Sequence, residues 1–148
     1  MTQKLVLIVD DDPDFAAISG EILQKAGYAV RHELSAGAAL EVLQQGAVVP
    51  DLIISDLMME RDDAGFRFCH AVRKLAGRLA QTPILMLTAV ARARAIPFDL
   101  KSPAAREWIK ADDFAEKPIR KETLLAKVRH LLSEPADGAA PAPGHGHG

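Results

Sequence analysis

Residues 50–59 of the chain read PDLIISDLMM, and the rest of the chain is organised around this segment. Its apolar run is too short for a free-standing helix and ends abruptly in the carboxylate of Asp56. A short apolar run with turn signals on both sides is typical of a buried parallel strand, so we predict a strand over 52–55. Asp56 then lies at the carboxyl end of that strand, where open α/β sheets place their ligands.

Strand-like and helix-like segments alternate on both sides of this segment. Apolar runs predict four further strands, and the weak alternation in the second places it at a sheet edge. Five alternations of strand and helix indicate a parallel sheet covered by helices on both faces. The further predicted strands are 5–9, 28–33, 84–87 and 114–116.

Four helices are predicted where apolar residues recur at helical spacing. Pro13, among acids, suits the first turn of helix one, which should end near Gly27. Ser35 is placed to cap the second helix, which should end at Gly46. The third and last predicted helices have apolar faces that run from Phe66 to Ala76 and from Leu124 to Leu132.

Length and composition indicate a single folded domain over residues 1–133. Of the 148 residues, 49% are hydrophobic, and the net charge of −2 gives no footprint for nucleic acid or anionic membrane. Residues 134–148 are rich in Pro, Ala, Gly and His, a composition that predicts a disordered tail. Prolines interrupt 90–111, which we expect to be irregular.

The sequence also predicts a cytoplasmic location. We see no signal peptide and no apolar segment long enough to cross a bilayer. The single cysteine, Cys69, cannot form an internal disulfide, which fits a reducing compartment.

Acidic side chains follow the first and third predicted strands. If these strands are neighbours, Asp10, Asp11 and Asp56 converge, and like charges about 5 Å apart repel by roughly 3 kcal/mol per pair at an effective dielectric of 20. Such a cluster needs a cation, or some of its members must protonate. Hard oxygen ligands suit Mg²⁺. With Thr88 and Lys117 at two other strand ends, the set suits phosphoryl transfer.

Four short motifs carry a resemblance to a known family: LIVDDD at 7–12, IISD at 53–56, LMLTA at 85–89 and EKP at 116–118. Each motif lies at a strand end, and their order matches the receiver domain of two-component response regulators. The chain resembles that family from about Lys4 to Leu132. The resemblance implies a flavodoxin-like fold with five parallel strands in the order 2-1-3-4-5.

The resemblance also implies a phosphoacceptor and a metal site. Asp56 would accept a phosphoryl group from a phosphohistidine of a sensor histidine kinase or a phosphotransfer protein. Asp11 would bind Mg²⁺ directly, Asp10 would act mainly through water, and the backbone carbonyl of Met58 would complete the protein ligands. The chain would then be a signalling protein that assists its own phosphorylation, not a dedicated enzyme.

A switch between inactive and active forms is implied by the same family. Lys117 would pair with phosphoryl oxygens, and Thr88 would move toward another of them, with small Ala89 leaving room. Phe114 occupies the position of the family's switch aromatic, and Pro118 would follow a cis peptide bond. With too few ordered residues after the last helix for an output domain, we expect a stand-alone receiver. It would contact an unknown downstream protein or pass the phosphoryl group onward in a relay, and homodimer formation is left open.

Two segments depart from the family pattern. After Asp56 the loop lacks the usual proline and is one residue longer, which puts the geometry of 57–65 in doubt. The segment from Ala91 to Lys110 is longer and more broken by proline than the family's usual fourth helix. Partner choice and dimer geometry therefore do not carry over.

Three alternatives stay open. A haloacid-dehalogenase-like phosphatase could use Asp10, Asp12, Thr88 and Lys117, although it gives no role to Asp56. A degenerate receiver could bind partners without phosphorylation. A calcium-binding loop would use acids at four EF-hand positions but has Phe15 where a sharp turn needs glycine. The four EF-hand positions are Asp10, Asp12, Asp14 and Glu21.

Overall fold

The computed structural model describes residues 3–56, 64–89 and 111–132, with the backbone alone at residues 64–66, 88 and 89. The strands are β1 (Leu5–Val9), β2 (Ala29–Glu33), β3 (Leu52–Asp56), β4 (Ile84–Ala89) and β5 (Asp113–Lys117). The α-helices are α1 (Pro13–Lys25), α2 (Ala36–Gln44), α3 (Ala64–Arg73) and α4 (Lys121–Leu131).

All five strands pair in parallel in the order β2-β1-β3-β4-β5. This confirms the predicted fold class and the edge position of the second strand. In the register, Val9 of β1 lies opposite Ser55 of β3, and Asp56 lies opposite Leu87 of β4. Because the strands are parallel and in step, their carboxyl ends meet at one edge of the sheet.

Helices cover both faces of the sheet, and each face has its own apolar core. Side chains alternate in direction along a strand, so Ile53 packs with α2 and α3, whereas Leu52 and Ile54 pack with α1 and α4. All five residues of β3 are buried. Burial on both faces explains why this strand is a continuous apolar run.

Helix ends follow the capping signals in the sequence. Asp12 is the N-cap of α1, and its side chain accepts hydrogen bonds from the backbone N–H groups of Asp14 and Phe15. Ser35 caps α2 through the N–H of Ala38. Gly27 follows α1 with φ of 103°, a left-handed conformation in which a side chain would be strained.

The region after α3 differs from the prediction. The helix ends at Arg73, short of Ala76, and a 3₁₀ helix that the sequence does not predict spans Gly77–Gln81. Arg73 Nη1 donates to the carbonyl oxygens of Ala80 and Thr82 at 3.1 and 2.6 Å. One guanidinium at the end of α3 therefore pairs with carbonyl oxygens at the end of the 3₁₀ helix, just before β4 begins.

Three predictions concern residues outside the described part of the chain: the carbonyl ligand at Met58, the irregular segment 90–110, and disorder of the tail at 134–148. Within the described ranges, no helix combines the length and apolar composition that crossing a bilayer requires.

Candidate functional site

Three carboxylates meet at the carboxyl edge of the sheet. Asp10 and Asp11 follow β1, and Asp56 is the last residue of the neighbouring strand β3. One carboxylate oxygen of each lies within 4.8 Å of the others. Asp10 and Asp56 are 1% and 7% exposed, whereas Asp11 is exposed. The pocket therefore has two acids in its floor and one at its mouth.

Lys117 reaches the same pocket from the end of β5, two strands beyond β3. Its Nζ lies 2.7 Å from Oδ2 of Asp10 and 3.6 Å from Oδ2 of Asp56. The lysine side chain is 17% exposed, so these contacts are only partly screened by water. Three carboxylates against one ammonium leave two negative charges in excess.

Asp10 is fixed through both its side chain and its backbone. Its Oδ1 accepts from the N–H of Asp12 at 2.9 Å, while Oδ2 accepts from Lys117. Its own N–H donates to the carbonyl of Glu33, and its carbonyl lies 3.1 Å from Nε2 of His32. Because a carbonyl oxygen can only accept, this contact places a proton on Nε2. The end of β2 thus holds the β1–α1 turn in place.

An aromatic ring lies beside the lysine. The ring centroid of Phe15, in the first turn of α1, is 4.2 Å from Lys117 Nζ. The sequence indicates only that Phe15 belongs to the apolar face of helix one, and it indicates no role for His32. Neither contact has a local sequence signal, because each joins residues that only the strand order brings together.

The remaining predicted site residues are placed as follows. Thr88 and Ala89 end β4 opposite Glu116 and Lys117, while their side chains, like all of Met58, lie outside the described part of the chain. Phe114 is 8% exposed and belongs to the core on the α2–α3 face. The peptide bond between Lys117 and Pro118 is cis.

The pocket fits a small divalent cation. Its ligands would be carboxylate oxygens, the hard donors that Mg²⁺ prefers, and a single divalent ion would balance the two excess negative charges. Three protein oxygens are few for Ca²⁺, which takes six to eight, but they suit Mg²⁺, which keeps several waters. The exposed position of Asp11 leaves the mouth of the pocket open to those waters.

Comparisons with known proteins converge on one family. The model of the response regulator receiver domain matches residues 6–129. Among curated proteins, the DNA-binding dual master transcriptional regulator RpaA of a Synechocystis strain is 38% identical over 86% of this chain and 48% of its own length. The response regulator MtrA of Mycolicibacterium smegmatis is 30% identical over 93% of this chain and 54% of its own length. The chain thus spans about half the length of these curated relatives.

Solved structures of similar fold belong to the same receiver domain family. The chemotaxis response regulator CheY4 of Vibrio cholerae is 30% identical, with a TM-score of 0.71 over 88% of this chain and 99% of that one. The receiver domain of a histidine kinase from Syntrophus aciditrophicus is 30% identical, with a TM-score of 0.70 over 94% of this chain and 98% of that one.

Proposed function

Because the chain belongs to the response regulator receiver domain family, we propose that it accepts a phosphoryl group on Asp56 from a phosphohistidine of a histidine kinase or phosphotransfer protein. The observation that carries this proposal is the meeting of three carboxylates and one lysine in a single pocket. Nucleophile, metal ligands and counter-charge are the parts that phosphoryl transfer needs, since positioning and charge neutralisation supply most of its catalysis.

The contacts favour Asp56 over its two neighbours as the acceptor. Both carboxylate oxygens of Asp10 are engaged, by Lys117 and by the N–H of Asp12. Asp11 is exposed, so water competes for its oxygens. Asp56 sits at the strand end with a longer contact of 3.6 Å to the lysine, which leaves room for that ammonium to pair with an incoming phosphoryl oxygen.

In the proposed reaction a carboxylate oxygen of Asp56 attacks phosphorus. An O–P bond forms, the N–P bond to the donor imidazole breaks, and the imidazole keeps the electron pair and takes a proton from solvent. Lys117 pairs with a phosphoryl oxygen as negative charge moves onto the acceptor side. Asp10 and Asp11, with the backbone carbonyl of Met58, would hold Mg²⁺, which supplies neutralisation of the phosphoryl charge.

The proposal extends to the switch. The hydroxyl of Thr88 would bond a phosphoryl oxygen, Ala89 would leave space, and Phe114 would change its packing. The sheet register supports this assignment, because Phe114 pairs with Met86, two residues before Thr88 on the neighbouring strand. Phosphorylation would then shift an existing equilibrium between two forms and change contacts with a downstream protein. The proposal includes a cytoplasmic location, and it is compatible with formation of a homodimer.

The other candidate functions fit the pocket less well. A phosphatase of the haloacid dehalogenase type needs Asp12 as a catalytic group, yet its carboxylate caps α1 through the N–H groups of Asp14 and Phe15. The same cap argues against a calcium loop, since Asp14 and Glu21 lie along α1 instead of around an ion. A degenerate receiver would not need the complete set of acids and lysine.

Covalent labelling tests the assignment. With acetyl phosphate and Mg²⁺, intact-mass analysis should show one added phosphoryl group on the wild-type chain and none on Asp56→Asn. Asp113→Asn is the matched control, because Asp113 pairs with Lys127 at 3.0 Å instead of facing the pocket, and it should label like the wild type. Labelling of Asp56→Asn at the wild-type rate would refute the assignment, and label mapped to Asp10 would favour the phosphatase.

A further inference from the structure

We propose that Phe15 is a positioning residue for Lys117. Its ring holds the lysine ammonium inside the acidic pocket by a cation–π contact and so prepares it to meet the phosphoryl group. The inference rests on the proposed function for its consequence, but the contact itself stands on the geometry alone. None of the four family motifs in the sequence includes this residue.

The ammonium of Lys117 is bounded on three sides. Oδ2 of Asp10 lies at 2.7 Å, Oδ2 of Asp56 at 3.6 Å and the centroid of Phe15 at 4.2 Å. A cation within about 6 Å of an aromatic centroid is attracted by the electron-rich face of the ring. A saturated side chain of similar size would exclude water there without attracting the charge.

The backbone and side chain of Phe15 are both held in place, so the ring can position the Lys117 side chain. It is the third residue of α1, and its N–H donates to Oδ1 of the N-cap Asp12 at 3.3 Å. The half-buried ring also packs against the core beneath α1 and α4. A ring held by its own backbone and by packing against the core restricts the rotamers that the long lysine side chain can adopt.

The two kinds of contact around Lys117 differ in range. A hydrogen bond is lost once donor and acceptor separate much beyond about 3.2 Å, whereas a cation–π attraction persists to about 6 Å. To pair with a phosphoryl oxygen on Asp56, Nζ must loosen its contact with Asp10. The ion pair with Asp10 must break during that exchange. The longer-range attraction to the Phe15 ring can keep the ammonium in the pocket while it does so.

A graded series of rings at position 15 tests the electrostatic part of the contact. Site-specific incorporation of mono-, di- and trifluorophenylalanine keeps the shape of the ring while it weakens the negative face. The rate of labelling by acetyl phosphate and the affinity for beryllofluoride with Mg²⁺ should fall stepwise along the series. Phe15→Leu should lower both by about two- to fivefold, and Phe15→Tyr should recover most of the loss.

Equal behaviour of all the fluorinated chains would overturn the proposal, even if Phe15→Leu were impaired, because only the volume of the side chain would then matter. Wild-type labelling by Phe15→Leu would overturn it too. Urea unfolding of each variant separates these effects from a loss of folded protein, and rates are compared per folded molecule.

A second readout does not depend on phosphorylation. In a chain with ¹³C-labelled lysine, the ring current of Phe15 should shift the ε-methylene protons of Lys117 upfield, and Phe15→Leu should remove that shift. Lys117→Arg identifies the resonance. A missing upfield shift in the wild type refutes the contact. A shift that is present while Asp56→Asn still labels normally refutes the phosphoacceptor assignment and leaves the contact standing.

Discussion

Replacing Asp56 with asparagine should stabilise the folded protein when no divalent cation is available. Asp56 lies within 4.8 Å of Asp10, so the two carboxylates repel by about 3.5 kcal/mol or more at an effective dielectric of 20. Its attraction to Lys117 at 3.6 Å offsets this by about 4.6 kcal/mol on the same scale. The exposed Asp11 adds further repulsion, screened by water.

These gross terms nearly cancel, and the cost of burying a carboxylate decides the sign. Asp56 is 7% exposed, and a neutral amide of the same shape is less costly to bury than an ion. We therefore expect Asp56→Asn to gain about 1–2 kcal/mol of unfolding free energy in EDTA, which raises Tm by roughly 3–8 °C.

Mg²⁺ should reduce the difference in unfolding free energy between Asp56→Asn and the wild type. A cation that binds only the folded state adds stability that rises with the logarithm of its concentration relative to its Kd, and removing one carboxylate raises that Kd. The assay is urea unfolding followed by circular dichroism, in excess EDTA and in saturating Mg²⁺, for the wild type and Asp56→Asn. Asp113→Asn is the matched control, because losing its ion pair with Lys127 should lower stability equally in both buffers.

Two outcomes would refute this account of the pocket. In the first, Asp56→Asn is less stable than the wild type in EDTA. In the second, Mg²⁺ stabilises both chains by the same amount. The first result would mean that repulsion and burial do not destabilise the Asp56 carboxylate, and the second that Asp56 does not help to bind the cation.

Two further predictions concern single side chains. Lys117→Met should lower the free energy of unfolding in EDTA by about 3–5 kcal/mol, because it leaves buried Asp10 without its ion pair. Mg²⁺ should restore part of this loss. Urea unfolding that is insensitive to the substitution would contradict the 2.7 Å contact. Burial raises the pKa of the Cys69 thiol from 9.0 to about 12. Two smaller charge effects act on the same pKa: Arg73 lowers it and Asp112 raises it. The unfolded chain therefore loses the thiol proton first as pH rises above 9, and folded stability should fall by up to about 1.4 kcal/mol per pH unit between 9 and 12. Cys69→Ala should flatten that decline in urea titrations at several pH values, and an equal slope in both chains would count against the burial argument.

Local sequence patterns set most of the secondary structure. Continuous apolar runs mark strands that are buried on both faces, as in β3, and the caps Asp12 and Ser35 begin helices where predicted. These signals act between residues a few positions apart, so the sequence displays them directly. The prediction that the third helix continues to Ala76 is wrong, since α3 ends at Arg73. The Arg73 side chain bonds carbonyls seven and nine residues further along the chain, a contact that no helical periodicity displays.

The family resemblance predicts the strand order, whereas alternation of strands and helices alone is compatible with several orders. Strand ends predict where the acids lie in the sheet, but the distances between their side chains depend on how the strands pair. Lys117 and Asp10 are separated by 107 positions, and no local pattern can set a contact of 2.7 Å between them.

Local patterns identify the charged residues, the starts of most strands and α-helices, and the strand ends that carry acids. The hydrogen bond between His32 and the carbonyl of Asp10 and the position of the Phe15 ring beside Lys117 arise only when the chain folds. The physical reason is that propensity and capping depend on near neighbours in the chain. Contacts within a pocket depend on how distant strands pair and how helices pack upon them.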